Sequence, residues 1–234
     1  MWRLSSFSIT YWRDWCVFMR PILRKFKLIL FIQILILIAV TAVSQQVKHK
    51  FTGSKTTSNQ LKAFYQITAE ANVEFIYPEG FKEIPAINNE YFSFDYAMAL
   101  PGHDFEIWLK VRSQKQNWAD YQRYSNDIAR RTENPDSLYN QIGPAQAISF
   151  AGDKNYFTTI IPSDVLARYN ANAGKTYLLD LLDMRETKHY KYALLITLQK
   201  DHIGTIVAVC FANDKGAEFF KNISKVSKCL KFKP

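Results

Sequence analysis

The four histidines, His49, His103, His189 and His202, are scattered along 234 residues. None stands in an H-x-x-x-H pair or beside a cysteine at zinc-site spacing, so no transition-metal site is expected. The densest acidic series is Asp180, Asp183 and Glu186. On a helix, steps of three would put these carboxylates on one face, but the neighbouring residues read as strand running into loop. The glycine and spacing of a calcium loop are missing too, so solvated charges are the expectation. No Gly-x-Ser-x-Gly occurs, and Ser149, Ser163 and Ser224 fall in a strand, at a cap and in a helix. Cys210 lies in an apolar run whose burial disfavours a thiolate. The eight glycines are scattered singly, so no phosphate-cradling loop is present. A glycosidase pair is defined by distance across a cleft, which residue order does not express. Asn222-Ile223-Ser224 fits a glycosylation sequon inside an expected helix. No catalytic, cofactor-binding or metal residue is assigned, no cofactor is expected, and the reading leans away from an enzyme.

Rings remain as a source of recognition chemistry, because aromatics make up 15% of the chain. Trp108 alternates with Phe105, Ile107, Leu109 and Val111 and shares its parity with Glu106, Lys110 and Arg112. It is a candidate binding aromatic, since Trp is enriched where binding energy concentrates. The preferred reading is that a helix over 117–131 covers this face and packs Trp118 and Tyr121 on Trp108, since a sandwich needs a second core.

Compartment is legible from the N-terminal part. Leu28 to Val43 is an uninterrupted run of 16 mainly apolar residues, preceded by Arg20, Arg24, Lys25 and Lys27. As a helix it would span ~24 Å, short of a ~30 Å hydrocarbon core. Ala42 and Ser44 are small residues at −3 and −1 for a cut between Ser44 and Gln45. A signal peptide over 1–44 is the expectation, with transient membrane contact through the leader and an exported, periplasmic or secreted product. The alternative is an uncleaved anchor in the inner membrane through residues 28–43, with its basic flank on the cytoplasmic side. Residues 1–18 hold Trp2, Trp12 and Trp15 and fit a leader poorly, which makes Met19 the candidate start.

Six of the 30 Lys and Arg and one of the 21 Asp and Glu precede Gln45. The remainder therefore carries 24 basic and 20 acidic residues, a net +4 against +9 for the whole chain. Interspersed signs at that level give no nucleic-acid footprint. Cys210 and Cys229 are candidates for a disulfide if exported; two buried thiols are the other reading, and spacing does not choose.

Residues 45–60 are polar and read as a flexible linker, and 61–234 as a single domain. Strands are expected over 73–77, 91–100, 105–112, 147–151, 155–161, 177–182, 190–199 and 205–212, with a short helix over 61–71. A helix with Asn117 as N-cap is expected to run to Arg131, another follows Ser163, and a last one covers 214–227. Residues 205–212 are apolar on both parities, which places that strand centrally. Tight turns between strands mean antiparallel pairing, so the fold class is α+β: a mostly antiparallel sheet of about seven strands with helices on its faces.

The strand ending Tyr77-Pro78-Glu79-Gly80-Phe81, the hairpins after it, and the last strand with its closing helix and Leu230–Phe232 tail resemble the PsbP-like α/β/α sandwich group. The resemblance is one of pattern over most of 73–232 and carries over no binding residue. It implies an exported or lumenal accessory protein without catalysis. The expected role is thus a non-catalytic binding or accessory domain of the cell envelope, with a protein or an envelope component as partner and no nucleic acid. The alternatives are an envelope hydrolase with an unrecognised cleft, and a membrane-tethered protein. N-terminal sequencing of the mature protein is expected to begin at Gln45, with no precursor peptide covering Ile9–Trp12; a mature chain that retains Leu28–Val43 would establish the anchored form.

Overall fold

The computed structural model describes residues 57–130, 132–152 and 156–234. The leader with Met19, the Ser44/Gln45 cut, His49 and most of the 45–60 linker lie outside the described residues. Thr57–Pro234 forms one compact unit.

The elements run α1 (Asn59–Glu70), β1 (Val73–Phe75), β2 (Lys82–Ile84), β3 (Tyr96–Ala99), β4 (Phe105–Ser113), α2 (Lys115–Arg123), α3 (Tyr139–Ala151), β5 (Tyr156–Ile160), α4 (Ser163–Arg168), β6 (Ala173–Asp180), β7 (Tyr192–Lys200), β8 (Gly204–Ala212), α5 (Ala217–Val226) and β9 (Leu230–Phe232). Seven strands form one sheet in the order β2-β3-β4-β8-β7-β6-β5, antiparallel at every step. β1 and β9 make a separate two-stranded ladder. The α+β architecture is as the sequence implies, and the doubly apolar β8 does sit at the centre.

Alternation along β4 separates two cores. Phe105, Ile107, Leu109 and Val111 face one side with Ile206, Cys210, Phe219 and Val226, beneath α1 and α5. Trp108 faces the other with Val207, Val209, Phe211, Ala147 and Phe150, beneath α3. The result is a three-layer helix–sheet–helix sandwich.

Several elements differ from the sequence expectation. The expected hairpin of 147–151 with 155–161 does not form, because 147–151 is the last part of α3. Gly143, Ala147, Phe150 and Ala151 recur at helical spacing and are buried. Gly143, Pro144 and Gly152 hid that helix by reading as breakers. Pro144 lies inside the helix, in its second turn, and Gly143 is there for space: a Cβ built on it would stand 2.6 Å from Cζ of Tyr177. The helix at 117–131 is shorter, ends at Arg123, starts from Gln114 rather than Asn117, and buries no residue. α4 is capped by Pro162, not Ser163. Within the expected strand 91–100 regular pairing covers only 96–99, so Phe92 and Phe94 cross to the α3 side while Tyr96 and Met98 stay beneath α1. β2, a three-residue edge strand, is an addition.

Gly143→Ala is expected to destabilise the protein by about 1–3 kcal/mol in denaturant melts, the usual cost of forcing atoms into a filled interface. Pairing it with Tyr177→Leu, which withdraws the ring, is expected to return part of that loss; an unchanged melting midpoint in the single variant would contradict the close α3–β6 approach.

Candidate functional site

Polar chemistry collects where β4 and β7 begin and β6 and β8 end. Phe105, Ala212, Tyr192 and Asp180 stand in register across the four strands there. The strands stop at this line, and the connecting segments carry charged side chains past it, among them Asp104, Asp183, Lys188, Asp214 and Lys215.

On the α3 side the centre is Glu106, which is 7% exposed. Lys188 Nζ donates to both its oxygens, at 2.7 and 2.9 Å, and Trp108 Nε1 donates to Oε2 at 3.2 Å. A buried carboxylate is tolerable only with such donors. Tyr190, 5.7 Å from Phe211 between ring centres, closes the same corner. Burial, then the charges of Glu106 and Asp104, push its phenol well above the ordinary tyrosine range.

Lys188 reaches Glu106 through an unusual loop. Lys188 and His189 both take left-handed backbone conformations, with φ of 55° and 60°. For residues with a Cβ this costs roughly 1–2 kcal/mol each. The loop is held by backbone bonds from Lys188 to Arg185 (2.9 Å), His189 to Met184 (3.1 Å) and Tyr190 to Thr187 (3.1 Å), around a fully buried Thr187. Strain of this kind, opposed by surrounding bonds, concentrates where side-chain placement is functional. His189 Nδ1 lies 2.5 Å from Asp183 Oδ1, and Lys215 Nζ donates to Asp180 at 2.9 Å while standing 4.6 Å over the Tyr192 ring. These groups surround an open cleft of about 640 Å³. Asp180 and Asp183 therefore have separate partners, Lys215 and His189, and do not act as one cluster with Glu186.

On the α5 side lies a second cleft of about 380 Å³, bounded by Gly102–Phe105, Ala212–Asp214 and the first turns of α5. His103 Nδ1 is 2.7 Å from Glu218 Oε1 at its rim. Phe105 and Phe219, both buried, line its walls. Asn222 lines it as well; the sequon asparagine is 3% exposed on the inward face of α5.

Trp108 is no exposed anchor. It is fully buried among Phe92, Phe94, Phe150 and Phe211, and α3 covers it rather than α2. Cys210 and Cys229, the candidate disulfide pair, are both free thiols and buried in this structure. Burial raises both thiols, Cys229 to about 12, so neither is a nucleophile at neutral pH. His202 sits at the opposite sheet end, stacked 3.7 Å from Trp118 and 2.9 Å from Asp136. Among the described residues no three His, Cys, Asp or Glu side chains converge to hold a metal ion, and no helix is long and apolar enough to cross a membrane. Sequence reasoning placed Glu106 beside Trp108 on the second face but did not single it out. An acid between apolar neighbours on a buried strand was the available signal.

No family model matches the chain, and no curated protein does. Among solved structures, the solution structure of cyanobacterial PsbP (CyanoP) from Synechocystis sp. PCC 6803 matches with a TM-score of 0.36 and 8% sequence identity, over 70% of this chain and 88% of that one. That protein bears the name of the group whose strand pattern the sequence resembles.

Lys188→Met is expected to destabilise the fold by about 1–3 kcal/mol, because it leaves a buried carboxylate short of donors. Adding Glu106→Gln is expected to restore most of it. Additive losses in the double variant, read from denaturant midpoints, would show that the two side chains are not coupled.

Proposed function

We propose that this chain is an exported, non-catalytic accessory domain that binds a protein or another cell-envelope component through the end of its sheet. The observation that carries this reading is the company kept there: two clefts, a strained loop and an array of exposed charges, all mounted on the ends of well-buried strands. A binding surface needs rigid placement with polar groups at its rim, and strand ends supply both. The charged groups are largely matched with one another, as in Lys215–Asp180 and Lys188–Glu106, and His189 hydrogen-bonds Asp183. Such mixed pairs favour orientation and partner choice over bond-breaking chemistry. The leader that motivates export rests on Leu28–Val43 and its basic flank.

A second reading, an envelope hydrolase, is favoured by one feature. His103 and Glu218 stand together at the rim of the α5-side cleft, and such a pair can act as a general base. A photo-crosslinking amino acid at position 183, compared with one at position 201 on the opposite sheet end, separates these readings in intact cells. The binding role predicts one discrete adduct from position 183 that weakens in a Lys215→Glu background, and none from 201. Equal labelling from both ends, or none, would remove the sheet end as the binding surface. Loss of a measured hydrolytic activity in His103→Ala would establish the enzyme instead.

A further inference from the structure

The two outer strands of the large sheet are finished differently. β2, at one edge, is three residues long and carries Lys82 and Glu83. Its outer backbone is occupied. The Gln60 side chain donates from Nε2 to the Ile84 carbonyl and accepts from the Ala86 N–H, both at 2.9 Å, as a neighbouring strand would. Short length, charge and a cover are the usual protections of a sheet edge. β5, at the other edge, reads Tyr-Phe-Thr-Thr-Ile over Tyr156–Ile160, with no charge, proline or glycine. Phe157 stands opposite Leu178 on the α5 side, while Tyr156 and Thr158 stand opposite Leu179 and Tyr177 on the α3 side with Ile160. Phe157 is 76% exposed and Ile160 71%. The register shows which backbone groups are left over. Ile161 N–H donates to the Gly174 carbonyl at 3.1 Å, which continues the β5–β6 ladder. Alternate residues of an antiparallel pair bond inward, so Phe157 and Thr159 bond toward β6 as Ile161 does. Tyr156, Thr158 and Ile160 turn their N–H and C=O groups to the open edge. Among the described residues no side chain or loop bonds to those outward groups.

We propose that β5 pairs antiparallel with β5 of a second copy of this chain, about a two-fold axis at Thr158, so that two sheets join into one. The strand is complementary to itself in that register. Only with Thr158 facing Thr158 do all three outward residues find outward partners within the strand, because Tyr156 then meets Ile160 of the second copy and Ile160 meets its Tyr156. Between them Phe157 faces Thr159 of the second copy. Each pair off the axis sets an aromatic ring beside a β-branched side chain, a favourable cross-strand combination. The two most exposed apolar side chains of the strand, Phe157 and Ile160, both gain partners. With no charge in the strand, the two-fold sets no like charges opposite each other. A foreign strand would satisfy the backbone equally, but these side-chain matches are a property of this sequence with itself. The contact is isologous and closes after two copies, leaving no β5 edge for a third. A five-residue ladder is small beside the ~1,200 Å² or more of stable interfaces, so the dimer exchanges with monomer.

The test is disulfide trapping of the full-length chain in intact cells, in a Cys16→Ser background, since Cys210 and Cys229 are buried. Thr158→Cys sets two Cα atoms roughly 5.5 Å apart across the axis, within the disulfide range of about 4.4–6.8 Å. Phe157→Cys sets its two copies on a diagonal of roughly 7–8 Å, beyond that range. Brief oxidation is expected to give a covalent dimer of Thr158→Cys about tenfold faster than of Phe157→Cys, and none of Lys82→Cys on the β2 edge. Adding Phe157→Lys and Ile160→Lys, both at exposed positions, is expected to cut the Thr158→Cys dimer by about tenfold, since lysines on an edge oppose pairing. No dimer from Thr158→Cys, equal yields from the three cysteine positions, or an undiminished dimer in the lysine background would overturn the strand pairing. An adduct with the mass of a different protein would overturn the second copy as its occupant.

Discussion

Everything at the functional end of this fold depends on the pairing of β4 with β8. Their ladder runs without interruption from Phe105 opposite Ala212 to Ser113 opposite Gly204. β2-β3-β4 is one meander and β5-β6-β7-β8 another, each built from neighbours in sequence. The β4–β8 ladder alone joins them edge to edge within the large sheet. A shift of one residue would turn Trp108 and Glu106 toward α1 and α5, and Ile107 and Leu109 toward α3, so both cores fix the register. Gly204 allows the ladder to close, because a side chain there would run into the Arg112 carbonyl.

That register brings the two polar clefts into being. It sets Gly102–Phe105 beside Ala212–Asp214 on one face, and Glu106 beneath the loop before β7 on the other. Strand ends suit this role physically. Within the sheet, backbone groups satisfy each other and side chains are committed to one core or the other. Past the last pair, the backbone must find other partners, and charged side chains regain water. The Lys188–His189 segment shows what this can cost, with two left-handed residues in succession so that an ammonium can reach a buried carboxylate.

How much of this was readable in advance follows from the range of the interaction. β4, β7 and β8 announce themselves by alternation or by continuous apolar character, and their short turns fix antiparallel partners. α1 and α5 show period and composition together. α3 was illegible because its breakers serve tertiary contact: Gly143 exists to admit Tyr177, and local rules read it as a stop. The same error removed the true cover from Trp108, so α2 was assigned a core it does not touch. Phe92 and Phe94 share parity with Tyr96 yet cross to the other face, because regular pairing begins only at Tyr96. Parity speaks for a face only where the ladder is continuous.

The candidate site was the least legible part, for a reason that is not about motif knowledge. His103 and Glu218 are 115 positions apart, and Glu106 and Lys188 are 82 apart. No spacing rule spans such distances. Each residue taken alone is a turn histidine, a helix-surface acid, an acid in a strand or a loop lysine, and each was fairly read as unremarkable. What makes them a site is that β4–β8 pairing converts sequence distance into contact at a sheet end. The same step explains the unpartnered Asn222: α5 leaves β8 at Ala212 and returns over Phe105, which buries an amide on its inward face above the start of β4. An apolar residue there would have extended the Phe219–Val226 core without difficulty. Asn222 stands there instead, with its Oδ1 buried and without a hydrogen-bond partner, the polar exception on the inward face of α5.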